Sequence, residues 1–119
     1  MSNFTKLMKQ AASGAAGESV YVEDVFSTYL YIGTSAAGNT VNNGIDLDGE
    51  GGMVWLKSRG DAQSHGIFDT ERGAGKLLSS DTTSAELSYT DISAFNSNGF
   101  TLGYYSGWFN SSSYDQCSW

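Results

Sequence analysis

Proline is absent from this chain of 119 residues, and cysteine occurs once, at position 117. A single cysteine excludes an internal disulfide framework, so the fold must be stabilised by burial of apolar side chains. A nucleophilic cysteine needs a nearby histidine or a helix N-terminus to form its thiolate. The residues around Cys117 suggest neither, so we predict a small, buried or half-buried free thiol.

Basic residues are few: six Lys and Arg stand against 13 Asp and Glu, for a net charge of −7. Nucleic-acid binding and attraction to anionic membranes both depend on clustered basic side chains, so both are disfavoured. Runs of about 20 apolar residues, which a membrane-spanning helix needs, are also missing. At the N-terminus, Lys6, Lys9 and Gln10 interrupt any signal-peptide core, so we expect neither membrane insertion nor secretion by that route.

Small and aromatic residues dominate instead, with 15 Gly, seven Tyr, six Phe and three Trp. The aromatic content argues against disorder, and frequent turn residues favour many short strands. We therefore predict a mainly β protein, an antiparallel β-sandwich over residues 19–119, preceded by a short helical arm over residues 1–18. The length accommodates one core and a short extension.

The arm is predicted from apolar residues at helical spacing. Phe4, Leu7, Met8 and Ala11 would line one stripe. Because so short a helix is marginal alone in water, it must dock or fray. One interpretation is an anchor for another protein or a neighbouring copy. The alternatives are a helix folded back on its own domain and a frayed terminus.

Strand patterns follow from position 20 onward. One or two strands are predicted over residues 21–31, and others over 53–57, 65–70, 76–79 and 100–105. Turns are predicted at Asn43-Gly44, at residues 73–75 and at Asn98-Gly99. The last strand-like segment ends at Trp119, which leaves two alternatives: an edge strand, or a native chain that extends further.

Three carboxylates, Asp46, Asp48 and Glu50, alternate in a glycine-rich segment. In a strand they would share one face, as in glucanases that pair a nucleophile with an acid/base. The neighbouring glycines favour a loop, and the chain is short for a substrate cleft. Calcium binding by these residues with Asp69 and Asp81 is a second alternative. A solvated acidic loop is the interpretation we favour, and no catalytic residues are predicted.

Arg72 follows Asp69 in a predicted turn, and its guanidinium could clamp that carboxylate or a neighbouring one. We expect a structural ion pair there. The aromatic C-terminal region offers candidates for recognition, because flat rings stack on sugars and nearby Ser and Asn can bond hydroxyls. The glycan-contact candidates are Tyr104, Tyr105, Trp108 and Tyr114. The alternative is that such residues fill the core or a protein interface.

Five segments resemble, as an ordered set, an uncharacterised domain of marine bacteriophage structural proteins. They are VEDVFSTYLY (22–31), NGIDL (43–47), EGGMVWLK (50–57), FDTERG (68–73) and AFNSNGFTLG (94–103). The resemblance covers residues 20–119 and implies a jelly-roll sandwich similar to concanavalin A-like lectin/glucanase and laminin G-like modules. It brings no catalytic residues, and it implies family members that continue beyond the position of Trp119.

The resemblance further implies a non-enzymatic virion component, such as a tail fibre, a tail-associated appendage or a capsid decoration. Such a protein would be made in the cytoplasm of the bacterial host. The arm over residues 1–18 lies outside the resemblance, and its docking on other virion proteins is our own inference from its apolar stripe. We expect a homo-oligomer, for which a trimer is one arrangement. The alternative function is a lectin-like module that binds host-surface glycans.

Overall fold

The computed structural model describes residues 19–103 and 108–119. This part of the chain is mainly β, and every strand pairing in it is antiparallel. The elements are α1 (Val22–Val25), β1 (Tyr29–Ile32), β2 (Asn39–Val41), β3 (Met53–Ser58), β4 (Gly66–Asp69), β5 (Lys76–Leu77), β6 (Leu87–Ser88), β7 (Ile92–Asn96), β8 (Gly99–Leu102) and β9 (Asp115–Ser118). The predicted arm lies outside the described residues.

The strands form a four-stranded sheet in the order β1-β9-β3-β4, a three-stranded sheet in the order β2-β8-β7, and the pair β5-β6. The last strand therefore lies inside its sheet, where it pairs with β1 on one side and β3 on the other. The edge-strand alternative for this segment is wrong. No helix in residues 19–103 and 108–119 is long and apolar enough to cross a membrane.

β3 confirms the strand predicted over residues 53–57, and its side chains alternate between a buried and an exposed face. Val54 and Leu56 are 1 % and 0 % exposed, whereas Met53 on the other face is 54 % exposed. Across the strand pair, Val54 lies opposite Phe68 of β4, which is also fully buried. Both larger sheets contribute to the same hydrophobic core, which contains Val41, Leu47, Val54, Leu56, Phe68, Leu77, Ile92, Phe100, Leu102 and Phe109.

The prediction of strand structure over residues 21–31 is right only for its second half. β1 begins at Tyr29, but residues 22–25 form the helical turn α1. Local hydrogen bonds explain the difference, because the Asp24 carboxylate accepts from the Tyr21 backbone N–H at 3.0 Å. The Phe26 N–H donates to the Val22 carbonyl at 2.8 Å and completes the turn. These bonds outweigh the strand preference of the valines.

Two predicted turns adopt the backbone geometry that their glycines allow. Gly44 has φ 86°, in the left-handed region. Between β7 and β8, a two-residue turn joins Asn96 to Gly99. Gly99 has φ 147°, and a Cβ there would lie 1.9 Å from the carbonyl oxygen of Val41. Only glycine fits where β8 passes so close to the end of β2.

Candidate functional site

A groove of about 880 Å³ lies beside α1. Its lining comes from three stretches of chain: the segment around α1 within residues 19–27, the acidic loop and start of β3 within residues 43–55, and Trp119. These stretches are far apart in the sequence. The sheet brings them together, because Trp55 and Trp119 exchange backbone hydrogen bonds of 2.9 Å in both directions.

The groove adjoins an unusually apolar surface. Of eleven exposed large hydrophobic residues in the described part of the chain, seven lie between positions 20 and 32. Two others, Met53 and Trp119, line the groove itself. We refer to residues 20–32 as the exposed segment. Val20, Val25 and Phe26 of this segment also line the groove. Exposed apolar side chains grouped in this way mark interaction sites on soluble proteins.

Two tryptophans form one wall of the groove. The ring centroids of Trp55 and Trp119 lie 5.9 Å apart at an interplanar angle of 60°. The Trp55 indole N–H donates to Nδ1 of His65 at 3.0 Å, which fixes the orientation of that ring. Trp119 remains 36 % exposed. The wall thus presents aromatic surface whose position is set by the sheet and by His65.

The charged residues described in the groove lining are all acidic: Asp24, Asp46 and Glu50. Asp46 accepts a hydrogen bond from the Gly49 N–H at 2.8 Å, as expected of a carboxylate that shapes its own turn. Asp24 bonds Tyr21 through one oxygen, and its other oxygen is buried without a hydrogen-bond partner. A groove that is both apolar and acidic is suited to ligands that are apolar and cationic.

The three carboxylates of the predicted site do not all face the groove. Asp46 and Glu50 line the groove, whereas Asp48 is exposed and is not among the lining residues. The segment between them is a turn, so the loop interpretation is confirmed and the shared strand face of a glucanase is not formed. Across residues 19–103 and 108–119, no three His, Cys, Asp or Glu side chains are grouped to hold a metal ion. The calcium hypothesis thus gains no ligand cluster from the structure.

The remaining proposed calcium ligands have other partners. Asp81 accepts a hydrogen bond from the His65 backbone N–H at 3.1 Å. Asp69 receives the Arg72 guanidinium at 2.6 Å, and the same arginine reaches Glu86 at 3.2 Å. Hydrogen bonds from the Arg72 backbone and side chain lower the pKa of Asp69. The expected structural ion pair at Arg72 is confirmed.

Two of the four glycan-contact candidates, Trp108 and Tyr114, lie in the described residues. Trp108 is half-buried, with its ring 5.9 Å from that of Tyr89 and 5.8 Å from that of the fully buried Phe109. Tyr114 is 37 % exposed and lies against Gly60. Tyr104 and Tyr105 fall outside the described residues. The alternative in which aromatic residues of this region fill the core therefore applies to Phe109 and, in part, to Trp108.

Residues 22–119 match the model of a protein family described as a domain of unknown function, DUF7483. The chain belongs to this family. No curated protein and no solved structure matches the chain. The matched range contains α1, the acidic loop and Trp119, and therefore most of the groove lining. Ser19 and Val20, which also line the groove, precede the matched range.

Sequence reasoning missed a buried carboxylate in this family domain. Asp91 is 2 % exposed, and neither of its oxygens has a hydrogen-bond partner. Burial raises its pKa to about 6. Burial, with a contribution from the charge of Asp91, also raises the pKa of the Tyr31 phenol, which donates to the Phe109 carbonyl at 2.8 Å. Nothing in the local sequence distinguishes Asp91 from a solvated turn residue.

The thiol of Cys117 is free and 5 % exposed, as predicted. Burial raises its pKa, which disfavours the reactive thiolate. It lies between Leu30 of β1 and Lys57 of β3 in the sheet. This position fits a packing role.

Proposed function

We propose that the chain is a non-enzymatic structural module of a bacteriophage particle, in a tail fibre, a tail-associated appendage or a capsid decoration. The observation that carries the proposal is the group of exposed apolar side chains in the exposed segment, of which Val20, Val25 and Phe26 also line the groove. The phage assignment itself rests on the resemblance of the five segments described above. Within the proposal, the domain is a concanavalin A-like jelly-roll sandwich, supported by a core shared between its two larger antiparallel sheets.

The exposed segment has the properties of a protein-docking surface. Val22, Val25 and Ile32 are 72 %, 66 % and 67 % exposed, which is unfavourable for side chains that gain free energy by burial. β1 lies at the edge of its sheet in the described structure, and its sequence YLYI contains no charge. Natural edge strands usually carry charged or bulged positions that prevent pairing. An uncovered, uncharged edge is therefore suited to assembly with other virion proteins or further copies.

The candidate chemical groups have structural partners, which supports a non-enzymatic role. His65 accepts from Trp55, and Asp69 holds Arg72. Within the proposal, residues 1–18 help to dock the module on the particle, and the module is homo-oligomeric, for instance trimeric. It is made in the host cytoplasm and resides in the virion.

Mass spectrometry of purified phage particles tests the location directly. We expect peptides of this chain in stoichiometric amounts relative to known structural proteins. Their absence from clean particles would overturn the virion proposal. The same search covers peptides that continue beyond Trp119.

A pair of variants tests the docking surface. Val25→Lys with Ile32→Lys places two charges on the exposed segment, and we expect the protein to fold but to be lost from particles. The matched control is Leu87→Lys, which charges an exposed apolar residue of the small β5-β6 sheet. Equal incorporation of both proteins would contradict a docking role for the exposed segment.

Host-glycan binding is a second candidate, favoured by the wall of Trp55 and Trp119 beside Asn43, Asp46 and Glu50. Aromatic faces with neighbouring hydrogen-bonding groups are a common arrangement in sugar sites. A glycan array, with and without calcium, tests it. We expect Trp119→Ala to abolish any signal and Tyr114→Ala to leave it intact. The reverse result would assign recognition to the C-terminal aromatic residues, and an empty array would reject this function.

A further inference from the structure

We propose that the groove binds the chain's own residues 1–18 in the free protein. The inference goes beyond the proposed function and does not depend on it. It assigns one occupant to a surface whose apolar and acidic lining is otherwise uncovered in the described structure. Three independent observations support it.

The first observation is the point at which the segment joins the domain. Ser19 and Val20 line the groove, so the 18 residues before them are joined to the domain directly at the groove. A tethered segment is present at an effective concentration in the millimolar range, so even weak affinity is sufficient to fill the site. If helical, the 15 residues from 2 to 16 would span about 22 Å.

The second observation is apolar complementarity. The stripe of Phe4, Leu7 and Met8 offers side chains that a short helix cannot bury alone. The groove offers apolar surface in return, from Val25, Phe26, Met53 and Trp119. Docking one surface on the other would remove both from water, which is the dominant favourable contribution to such contacts.

The third observation is charge. Lys6 and Lys9 are two of only six basic residues, and Glu18 is the one acidic residue before position 19. The groove presents the opposite sign through Asp24, Asp46 and Glu50. Two basic residues of the domain already have partners: Arg72 pairs with Asp69 and Glu86, and the Lys57 ammonium donates to backbone carbonyls. Because the described lining contains no basic residue, Lys6 and Lys9 would supply the opposite charge to the groove.

Engineered disulfides in the full chain test the placement. Met8→Cys with Met53→Cys puts one thiol on the stripe and one in the groove, while the native thiol stays buried. On mild oxidation we expect an intramolecular disulfide in a monomer, detected by intact mass and peptide mapping. The matched control, Met8→Cys with Leu87→Cys, should remain largely reduced.

Every other outcome of this experiment overturns the proposal. Equal cross-linking of both pairs would show unspecific encounters, and no cross-linking would show that the segment does not visit the groove. Disulfide-linked dimers of the Met53→Cys protein would show that a second copy supplies the occupant. Far-UV circular dichroism verifies that the variants are folded.

Charge reversal provides a second, independent measurement. Backbone amides of residues 1–18 should exchange with solvent about five-fold faster in Lys6→Glu with Lys9→Glu, because two exposed ion pairs are lost. Adding Asp46→Lys with Glu50→Lys should restore the original rates. Rates that do not respond to the first pair, or that the second pair does not restore, would exclude charge pairing with the groove.

Discussion

β3 and the exposed segment contain similar apolar side chains, which are buried in β3 and exposed in the exposed segment. In β3, Val54 and Leu56 are almost fully buried against β4 and the core. In the exposed segment, Val22, Leu30 and Ile32 are all more than half exposed. Apolar composition alone therefore does not identify the core of this protein. The difference is whether a second sheet covers the face, and it separates the surface that drives folding from the surface available for assembly.

The largest expected effect on stability comes from shortening a side chain on the buried face of the sheet. Phe68→Ala removes a fully buried ring that packs edge-on against Phe109. We expect a loss of about 3–5 kcal/mol in the free energy of unfolding. Ile32→Ala, on the exposed segment, should change it by no more than about 0.5 kcal/mol. Urea denaturation compares the two. Equal losses would mean that the exposed segment belongs to the folding core.

The next effect concerns the buried carboxyl group of Asp91. Because the pKa of Asp91 rises from 3.8 to about 6 on folding, its ionisation opposes folding. Stability from this group is fully present below pH 3.8 and is lost as pH rises to about 6. Asp91→Asn should therefore raise the free energy of unfolding at pH 7 by up to about 3 kcal/mol.

Denaturation at several pH values checks this prediction. Asp91→Asn and the unmodified chain should be equally stable near pH 3, and only the unmodified chain should lose stability between pH 4 and 6 through this group. Parallel pH profiles would show that Asp91 is ionised and solvated in the folded protein.

A moderate effect is expected at the polar contacts that hold the loop after β4. Arg72 binds Asp69, Glu86 and the Ile67 carbonyl, and its side chain is 22 % exposed. Arg72→Ala should reduce the free energy of unfolding by about 1–2 kcal/mol. Glu86→Gln removes the more exposed contact and should cost about 0.5 kcal/mol. Thermal unfolding measures both. A larger loss of stability for Glu86→Gln than for Arg72→Ala would contradict this order of contributions.

The smallest effect on stability, and the largest on assembly, is expected on the exposed segment. Leu30→Ser with Ile32→Ser should leave the free energy of unfolding within about 0.5 kcal/mol of the original. The same change should weaken concentration-dependent self-association in sedimentation velocity, because the apolar edge of β1 is removed. Unchanged association would locate the oligomer contact elsewhere.

Sequence reasoning succeeded where the determining interactions are local. The alternation over residues 53–57 predicts β3 and its buried face, because a strand has a period of two. The Asn98-Gly99 pair predicts the turn into β8, since glycine suits φ 147° there. The mainly β class follows from the same local preferences.

Sequence reasoning failed where contacts between residues far apart in the sequence determine the structure. Residues 22–25 are a local exception, because the bond from the Tyr21 N–H to Asp24 makes them helical despite their β-branched valines. The groove joins α1, the acidic loop and Trp119, so no motif encodes it. Asp91 is a polar residue in a turn-like sequence, and only tertiary packing makes it a buried acid. Among the predicted site residues, Asp46 and Glu50 line the groove, whereas Asp48 does not.

The position of β9 between β1 and β3 has a consequence for biosynthesis. Tyr29 meets its strand partner Ser118 only across 89 positions of sequence. During translation, β1 therefore emerges from the ribosome long before any strand exists to pair with it. Contacts of such long range slow folding, because a large loop must close before they form. The uncharged strand YLYI thus has no strand partner until β9 has been synthesised. Unpaired strand edges of this kind are prone to aggregation during folding.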